Sequence, residues 1–308
     1  MLPQLDGDTF LTDGGLETDL IFNHGIDLPE FASFDLLKDP EGVAALRSYY
    51  EPYIELARER GMGFIYETPT WRASPRWGEA IGYSLSELAL ANRTAVSLGE
   101  ELRAFAEDVP IVISGNIGPE GDGYSPERLM SAAEAQEYHS WQIELFAGAQ
   151  VDMVNAMTMT YPDEAIGVIK AAGEADLPVS IAFTVETDGR LPNGLSLEDA
   201  ITETEQETEA SAVYYMVNCA HPTHFDSSAG DLSESVRDRI RGIRANASTL
   251  SHAELDEATE LDDGDPQDLA ERYVSLREDL PNLTVLGGCC GTDLRHVRAI
   301  SEAWAATA

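Results

Sequence analysis

The stretch TVLGGCCGTDLRHVRAI, residues 284–300, contains the unit that decides the fold. A short apolar run at 284–290 is followed directly by a segment, 293–305, whose apolar residues recur every three to four positions. The first pattern predicts a strand buried on both faces, and the second predicts an amphipathic helix. A strand followed by a helix is the repeating unit of parallel α/β proteins.

Eight such units follow one another along the chain. The predicted strands cover 9–15, 63–70, 111–118, 151–158, 178–185, 212–220, 242–248 and 284–290. The predicted helices cover 42–61, 84–107, 125–149, 161–175, 196–208, 233–242, 265–279 and 293–305. Eight pairs in a chain of 308 residues predict an α/β fold, a single (β/α)8 TIM barrel forming one domain over 1–308. A doubly wound open sheet is the alternative.

Local signals refine three of these segments. Ser86 is predicted to cap helix 84–107, and Pro126 suits the first turn of helix 125–149. The irregular stretch 248–265 carries a run of charge, which predicts an exposed, solvated excursion rather than a binding site.

The charge of the chain is extreme. It has 56 acidic and 19 basic residues, a formal net charge of −37, and its lysines are Lys38 and Lys170. Such a surface is expected to repel nucleic acid and anionic membranes. Dense salt screens the self-repulsion, which favours a halophile as the source. No membrane-spanning apolar run and no signal-peptide pattern is found, so we expect a soluble cytoplasmic protein of unknown oligomeric state.

The three cysteines are predicted to meet. Cys219 ends the sixth strand, and Cys289 and Cys290 end the eighth, so all three lie at the carboxyl ends of strands. A zinc site with three thiolates and an open fourth position is one interpretation. Three buried structural cysteines, or a disulfide between the adjacent pair, are the alternatives. The shared rim favours zinc, and Gly287 and Gly288 are expected to let the backbone bend there.

Several motifs, in order, resemble those of the homocysteine S-methyltransferase family. GGCCGTDLRHVRAI (287–300) is similar to its closing motif, a Gly-Gly-Cys-Cys-Gly run followed by His296, Arg298 and Ile300. The other matching segments are LTDGGLETDL (11–20), ETPTWRAS (67–74), SGNIGP (114–119) and VNCAHP (217–222). The likeness runs from about residue 10 to 301.

The resemblance implies a zinc-dependent TIM-barrel enzyme that moves a methyl group from a small-molecule donor to a thiol. The thiol is usually homocysteine, which gives methionine. The implied zinc ligands are Cys219, Cys289 and Cys290, with the substrate thiolate as the fourth. The implied substrate-binding residues are Asp13, near the amino group of the substrate, with Gly14, Thr68 and Thr158.

One residue departs from the family pattern on the substrate side. Met157 stands where many members have a glutamate that grips the amino group of the substrate, and methionine cannot pair with an ammonium. Asp13 then acts alone, or Glu67 or Glu186 substitutes, or the substrate is a different thiol. A barrel that binds zinc or a thiol without turnover is a further alternative.

The donor is not fixed by the sequence. Arg72 and Thr158 stand where betaine-using members have tyrosines, and an arginine would repel a quaternary ammonium, so betaine is not expected. S-methylmethionine and S-adenosylmethionine stay as candidates, and Trp71 and Trp77 could supply aromatic surface.

Residues near the metal site leave a second choice of ligands. His221 and His224 follow the sixth strand closely, so a site of two cysteines and one histidine is the alternative metal interpretation. Asn246, at the end of the seventh strand, is expected to hydrogen-bond its loop.

Overall fold

Eight parallel strands form a closed barrel. The computed structural model describes residues 2–124 and 128–307. The strands are β1 (Phe10–Leu11), β2 (Gly63–Glu67), β3 (Ile111–Ile117), β4 (Met153–Met159), β5 (Val179–Phe183), β6 (Tyr214–Asn218), β7 (Ile240–Ala245) and β8 (Val285–Gly288). Each strand pairs in parallel with the next, and β8 pairs with β1 through Phe10 opposite Val285. The predicted (β/α)8 barrel is confirmed, and the open sheet is wrong.

Helices follow the strands on the outside of the barrel. They are α1 (Pro40–Arg60), α2 (Leu85–Phe105), α3 (Ala132–Ala149), α4 (Pro162–Glu174), α5 (Leu197–Glu207), α6 (Glu234–Arg237), α7 (Pro266–Asp279) and α8 (Leu294–Ala306). Shorter helical segments are Pro3–Leu5, Leu16–Thr18, Asp19–Asn23, Pro29–Phe31, Ser33–Lys38, Pro75–Ala80, Pro222–His224, Asp226–Ala229 and His252–Asp256. Among the described residues, no helix is long and apolar enough to cross a membrane.

Two predicted helix starts are wrong. Ser84, not Ser86, caps α2, because its hydroxyl accepts from the N–H of Glu87 while the Glu87 carboxylate accepts from the Ser84 N–H. The same arrangement of Ser131 and Glu134 begins α3, so 128–131 are not helical. Pro126 lies outside the described residues.

The segment after β6 also differs from the prediction. The expected helix 233–242 is reduced to the single turn α6, and β7 begins at Ile240, inside that segment. Ile240 is fully buried as part of the barrel wall. A short charged segment with a few apolar residues does not distinguish a helix from a strand. Here the end of the segment pairs with its neighbours in the barrel and is therefore part of β7.

The core has two layers. A large outer layer packs between the strands and the helices, and a smaller inner layer fills the barrel with Phe10, Ile65, Val112, Met153, Met157, Ala182, Tyr214, Met216 and Val285. Polar side chains of Glu67, Asn155 and Ser180 form a hydrogen-bonded row inside the barrel. This row lies below the candidate site, and the carboxyl-terminal rim of the barrel surrounds the site.

Candidate metal centre and thiol-binding cavity

The three cysteines meet at the carboxyl rim, as predicted. Their Sγ atoms all lie within 4.8 Å of one another, and Cys219 is buried while the other two are half-buried. Cys219 directly follows β6, and Cys289 and Cys290 directly follow β8. In the described parts of the chain this is the one group of metal-ligating side chains that converges in this way.

The backbone of Cys219 is held in an unusual conformation. Its φ is 53°, in the left-handed region that residues with a side chain rarely adopt. Its carbonyl oxygen accepts from Asn246 Nδ2 at 3.0 Å and lies 2.5 Å from His252 Nε2. Asn246 therefore makes the loop hydrogen bond that the sequence predicted, and the two contacts fix the direction of the Cys219 side chain.

Thr158 is locked beside Cys219. Its φ is 64°, which for a β-branched residue costs about 1–3 kcal/mol and is typical of functional sites. The amide of Asn218 spans the gap, because its Oδ1 accepts from the Thr158 N–H and its Nδ2 donates to Thr158 Oγ1, both at 2.9 Å. Thr158 Oγ1 in turn lies 4.0 Å from the Cys219 sulfur.

Glycines let the rim of β8 approach the rim of β1. A Cβ on Gly287 would lie 1.8 Å from Thr12 Oγ1, and one on Gly15 would lie 2.4 Å from the Cys289 carbonyl oxygen. Neither Gly287 nor Gly288 has a positive φ, so the expected freedom to bend is not what these residues supply. Gly287 is required because the two strand ends pack in direct contact, and a Cβ on Gly288 would lie 1.9 Å from Thr292 Oγ1 in its own loop.

The sulfurs of Cys219 and Cys289 are joined as a disulfide, with their Cα atoms 5.4 Å apart, and Cys290 is the free thiol. The alternative of a disulfide between adjacent cysteines is therefore wrong. Burial, together with the nearby Glu17 carboxylate, raises the pKa of the Cys290 thiol to about 11. Metals bind thiolates, so the reduced protein is the metal-binding form.

The three sulfurs fit a zinc ion. In a tetrahedral zinc–thiolate site with bonds of about 2.3 Å, the sulfurs are about 3.8 Å apart. The three sulfurs already lie within 4.8 Å of one another, and Cys219 and Cys289 can reach this separation once the bond between them is reduced. Three sulfur ligands leave one position open. His221 and His224 are not part of the cluster: His221 Nδ1 lies 2.8 Å from Thr223 Oγ1, and His224 Nε2 lies 2.9 Å from the Thr249 carbonyl. The geometry therefore favours three sulfurs over a mixed site.

A cavity of about 60 Å³ opens beside the sulfurs, and all four predicted substrate-binding residues line it. These are Asp13, Gly14, Thr68 and Thr158. Thr68 is engaged within the rim, because its Oγ1 accepts from the Asn116 N–H at 2.9 Å and lies 2.6 Å from Thr70 Oγ1. Met157 lines the same cavity, as expected from its position.

Asp13 already has a cationic partner. Its Oδ1 lies 2.7 Å from Arg244 Nη2, and the Tyr49 hydroxyl donates to its Oδ2 at 3.2 Å. Burial raises the pKa of Asp13, while the guanidinium of Arg244 lowers it. Arg244 also donates to the carbonyls of Gly14 and Gly288 at 2.9 Å each, so one buried side chain ties β7 to both rim strands.

Glu67 is the acid on the cavity floor. It is the last residue of β2, it is buried, and its Oε1 accepts from Asn155 Nδ2 at 2.9 Å. Its Oε2 makes no hydrogen bond within the described structure. Burial raises the pKa of Glu67 to about 7, an effect that Asp13 increases and that Arg244, Asn155 and Ser114 oppose. Glu186, the other acid considered, does not line the cavity and lies 3.1 Å from His252 Nδ1.

Two charged residues of this cavity are missing from the sequence interpretation. Glu17 lines it, and its carboxylate accepts from the Ser33 hydroxyl at 2.7 Å; burial raises its pKa. Arg244 is the second. Its signal in the sequence is its place directly after the core residue Ile243, since alternation along the strand would point the Arg244 side chain into the barrel.

A closed barrel with three converging sulfurs beside a polar cavity defines a class: barrel proteins with a candidate thiolate metal centre at the carboxyl rim. A family model described as homocysteine S-methyltransferase matches residues 10–304. The chain belongs to this family.

Relatives and solved structures agree with that assignment. Betaine–homocysteine S-methyltransferase 1 from Rattus norvegicus is 24% identical over 256 residues, which cover 77% of this chain and 60% of the rat protein. The Mus musculus protein matches to the same extent, so the chain spans about 60% of the length of these curated relatives. The oxidized form of the homocysteine methyltransferase MmuM from Escherichia coli superposes with a TM-score of 0.75 at 17% identity, covering 97% of this chain and 99% of that one. Its metallated form gives 0.73 at 18%, covering 96% of each. At these identities the superposition establishes the fold.

Proposed function

We propose that the chain is a zinc-dependent S-methyltransferase that transfers a methyl group to homocysteine and forms methionine. The observation that carries the proposal is the convergence of three Sγ atoms within 4.8 Å at the edge of a cavity that holds acidic side chains. Cys219, Cys289 and Cys290 would hold the metal. A bound zinc lowers the pKa of the substrate thiol and keeps its sulfur as a nucleophilic thiolate.

The other residues of the chain then orient the substrate and keep water away. The left-handed backbones of Thr158 and Cys219 and the amide of Asn218 hold the rim rigid around the sulfur position. Thr68 keeps the ends of β2 and β3 together through its contact with Asn116. Such fixed geometry serves in-line attack, because alignment of the reacting atoms supplies much of the rate acceleration.

We assign the amino group of homocysteine to Glu67. Asp13 is neutralised by Arg244 at 2.7 Å, and Met157 has no charge, so neither offers a free carboxylate. Glu67 Oε2 lacks a hydrogen bond and lines the cavity, and an ammonium would both satisfy it and favour its ionised form. Glu67 would thus replace the glutamate that many family members have at the position of Met157.

We further propose that the barrel of residues 1–308 is one domain that works in a reducing, salt-rich cytoplasm. The thiolates require reduction, and the charge of −37 suits high salt. The proposed partners are the small-molecule thiol and the methyl donor.

The test uses reduced protein in molar potassium chloride. Bound zinc is measured, and homocysteine is offered with S-methylmethionine, S-adenosylmethionine and betaine in turn, with methionine as the measured product. We expect about one zinc per chain, lost in Cys219→Ser and Cys290→Ser. The matched control His221→Asn with His224→Asn should keep zinc and activity. Zinc without any methyl transfer would instead support the non-catalytic barrel, and protein that cannot take up zinc would exclude this mechanism.

A further inference from the structure

A second, larger cavity opens beside the thiol-binding cavity. Its volume is about 440 Å³, and it shares Thr18, Phe31, Trp71, Tyr124 and Cys290 with the first. The Tyr124 hydroxyl lies 4.0 Å from the Cys290 sulfur, at the junction of the two spaces. Residues of the excursion 248–265 line its outer side, so that stretch borders a cavity as well as solvent.

Arg72 is the cation of this second cavity. Its guanidinium carbon lies 3.5 Å from the ring centroid of Trp77 and 4.6 Å from that of Trp71. Its Nε is buried and has no hydrogen-bond partner among the described residues. Burial lowers the pKa of Arg72, and the carboxylate charges of Asp122, Glu17 and Glu30 oppose this, with Asp122 having the largest effect.

Arg72 differs from its neighbour Arg76 because it lacks an ion pair among the described residues. Arg76 also lies near Trp77, at 5.7 Å, but it forms an ion pair with Glu120 at 3.0 Å. Arg72 forms no ion pair within residues 2–124 and 128–307, in a chain with 56 acidic residues against 19 basic ones. Two indole rings fix the plane of a guanidinium and leave its edge free for a planar anion, which a carboxylate matches with two parallel hydrogen bonds.

The remaining charges of the cavity are negative. Glu30, Asp122, Asp256, Glu260 and Asp262 line it together with Arg72. A simple anion would be repelled by these carboxylates, whereas a ligand that also carries a positive charge would be attracted. The cavity therefore matches a zwitterion with one carboxylate and at least one cationic group, and the rings of Phe31, Trp71 and Tyr124 supply faces for that cation next to the sulfurs.

We propose that Arg72 binds the carboxylate of the methyl donor, and that the donor is an onium compound that carries a free carboxylate. This inference rests on the proposed methyltransferase function. In the transfer, a lone pair of the substrate thiolate forms the new S–CH3 bond, and the bond from the methyl carbon to the donor's positive heteroatom breaks, leaving its electron pair on that atom. Arg72 exchanges no proton; it anchors the far end of the donor so that the methyl group faces the thiol.

This role changes the meaning of Arg72 for donor choice. An arginine next to the onium group would disfavour every cationic donor, but an arginine that holds the carboxylate selects among them by the distance between the carboxylate and the methyl group. Betaine, S-methylmethionine and S-adenosylmethionine all carry the required carboxylate, and they differ in that distance. The experiment therefore includes all three.

The test compares Arg72→Gln and Arg72→Lys with the control Arg76→Gln. Binding is followed without turnover in reduced protein lacking homocysteine, by the fluorescence of the tryptophans and by calorimetry. The probes are the three donors and the methyl ester of S-methylmethionine, which has no carboxylate. Arg72→Gln should weaken binding of the preferred free acid about 10- to 100-fold, and should change binding of the ester less than about twofold. Arg72→Lys should recover part of the loss, and Arg76→Gln should bind as the parent protein does.

Three results would overturn the proposal: equal losses for the acid and the ester, an equal effect of Arg76→Gln, or parent protein that binds none of the donors. The KM for homocysteine and the zinc content distinguish this failure from failure of the proposed function. If Arg72→Gln transfers methyl groups with an unchanged donor KM, the proposed methyltransferase function is supported and the role of Arg72 in donor binding is refuted. If the parent protein transfers none, the proposed function falls as well.

Discussion

Replacing Glu67 with glutamine removes the carboxylate on the cavity floor and keeps the shape of the side chain. Asn155 can still donate to the amide oxygen, as it does to Glu67 Oε1 at 2.9 Å. What is lost is a charge-assisted contact to the ammonium of the substrate. Such contacts contribute about 1.5–3 kcal/mol, so we expect homocysteine to bind about 10- to 150-fold more weakly.

The same substitution should stabilise the protein in the absence of substrate. Burial raises the pKa of Glu67 from its ordinary value of 4.5 to about 7. Below the lower pKa the side chain is protonated in both the folded and the unfolded chain, and the native state bears no ionisation cost. The cost grows as the pH rises between the two values and is complete above the higher one. Glu67→Gln should therefore raise the free energy of unfolding by about 3 kcal/mol at about pH 8 and by nothing at about pH 4.

Calorimetry with two thiols separates the binding role from packing. Homocysteine carries the amino group, and 4-mercaptobutyrate has the same thiol and carboxylate without it. Glu67→Gln should weaken binding of the first and leave the second unchanged. The control Glu17→Gln removes another, half-buried carboxylate of the cavity and should change homocysteine binding less than about threefold. Equal losses for both thiols, or no loss for homocysteine, would refute the assignment and leave Glu67 as part of the barrel interior.

Three further predictions concern the same site and the whole chain. Met157→Glu alone puts a charge into the inner core and should lower the free energy of unfolding by about 1–3 kcal/mol. In the Glu67→Gln background the same substitution should restore homocysteine binding measured by calorimetry. Absence of rescue would mean that positions 67 and 157 do not contact the same group of the substrate. Arg244→Leu leaves Asp13 buried without its partner and should cost about 3–5 kcal/mol in a urea titration, while adding Asp13→Asn should recover part of that loss. The thermal unfolding midpoint should rise as potassium chloride increases from about 0.1 M to 3 M, and full stability at the lower concentration would contradict the halophilic interpretation.

The barrel could be predicted because its strands are buried on both faces. Runs such as 178–185 and 212–220 are mostly apolar, and each is followed by a helical pattern, so the type and the order of the elements can both be predicted from the sequence. The prediction was wrong at element boundaries, which depend on individual side-chain contacts rather than on periodicity. Ser84 caps its helix because it pairs with Glu87, and Ile240 belongs to β7 rather than to the expected helix.

The candidate site could be predicted only in part. Barrel topology brings Cys219 to Cys289 and Cys290, because strand ends share one rim. The ion-pair partners of individual charged residues could not be predicted from the sequence in the same way. The ion pair of Asp13 with Arg244 joins residues more than two hundred positions apart, and the stacking of Arg72 on Trp77 depends on the path of a loop. These contacts decide which acid is free for the substrate and which cation is free for the donor.

X-ray absorption at the zinc edge tests the central claim most directly, because it counts the sulfur ligands of the metal. We expect about three sulfurs at about 2.3 Å in the reduced, zinc-loaded protein, and about four after homocysteine is added. Replacing the thiol by selenohomocysteine should show the fourth ligand as selenium. A site of two sulfurs and one nitrogen, or a sulfur count that homocysteine does not change, would contradict this claim.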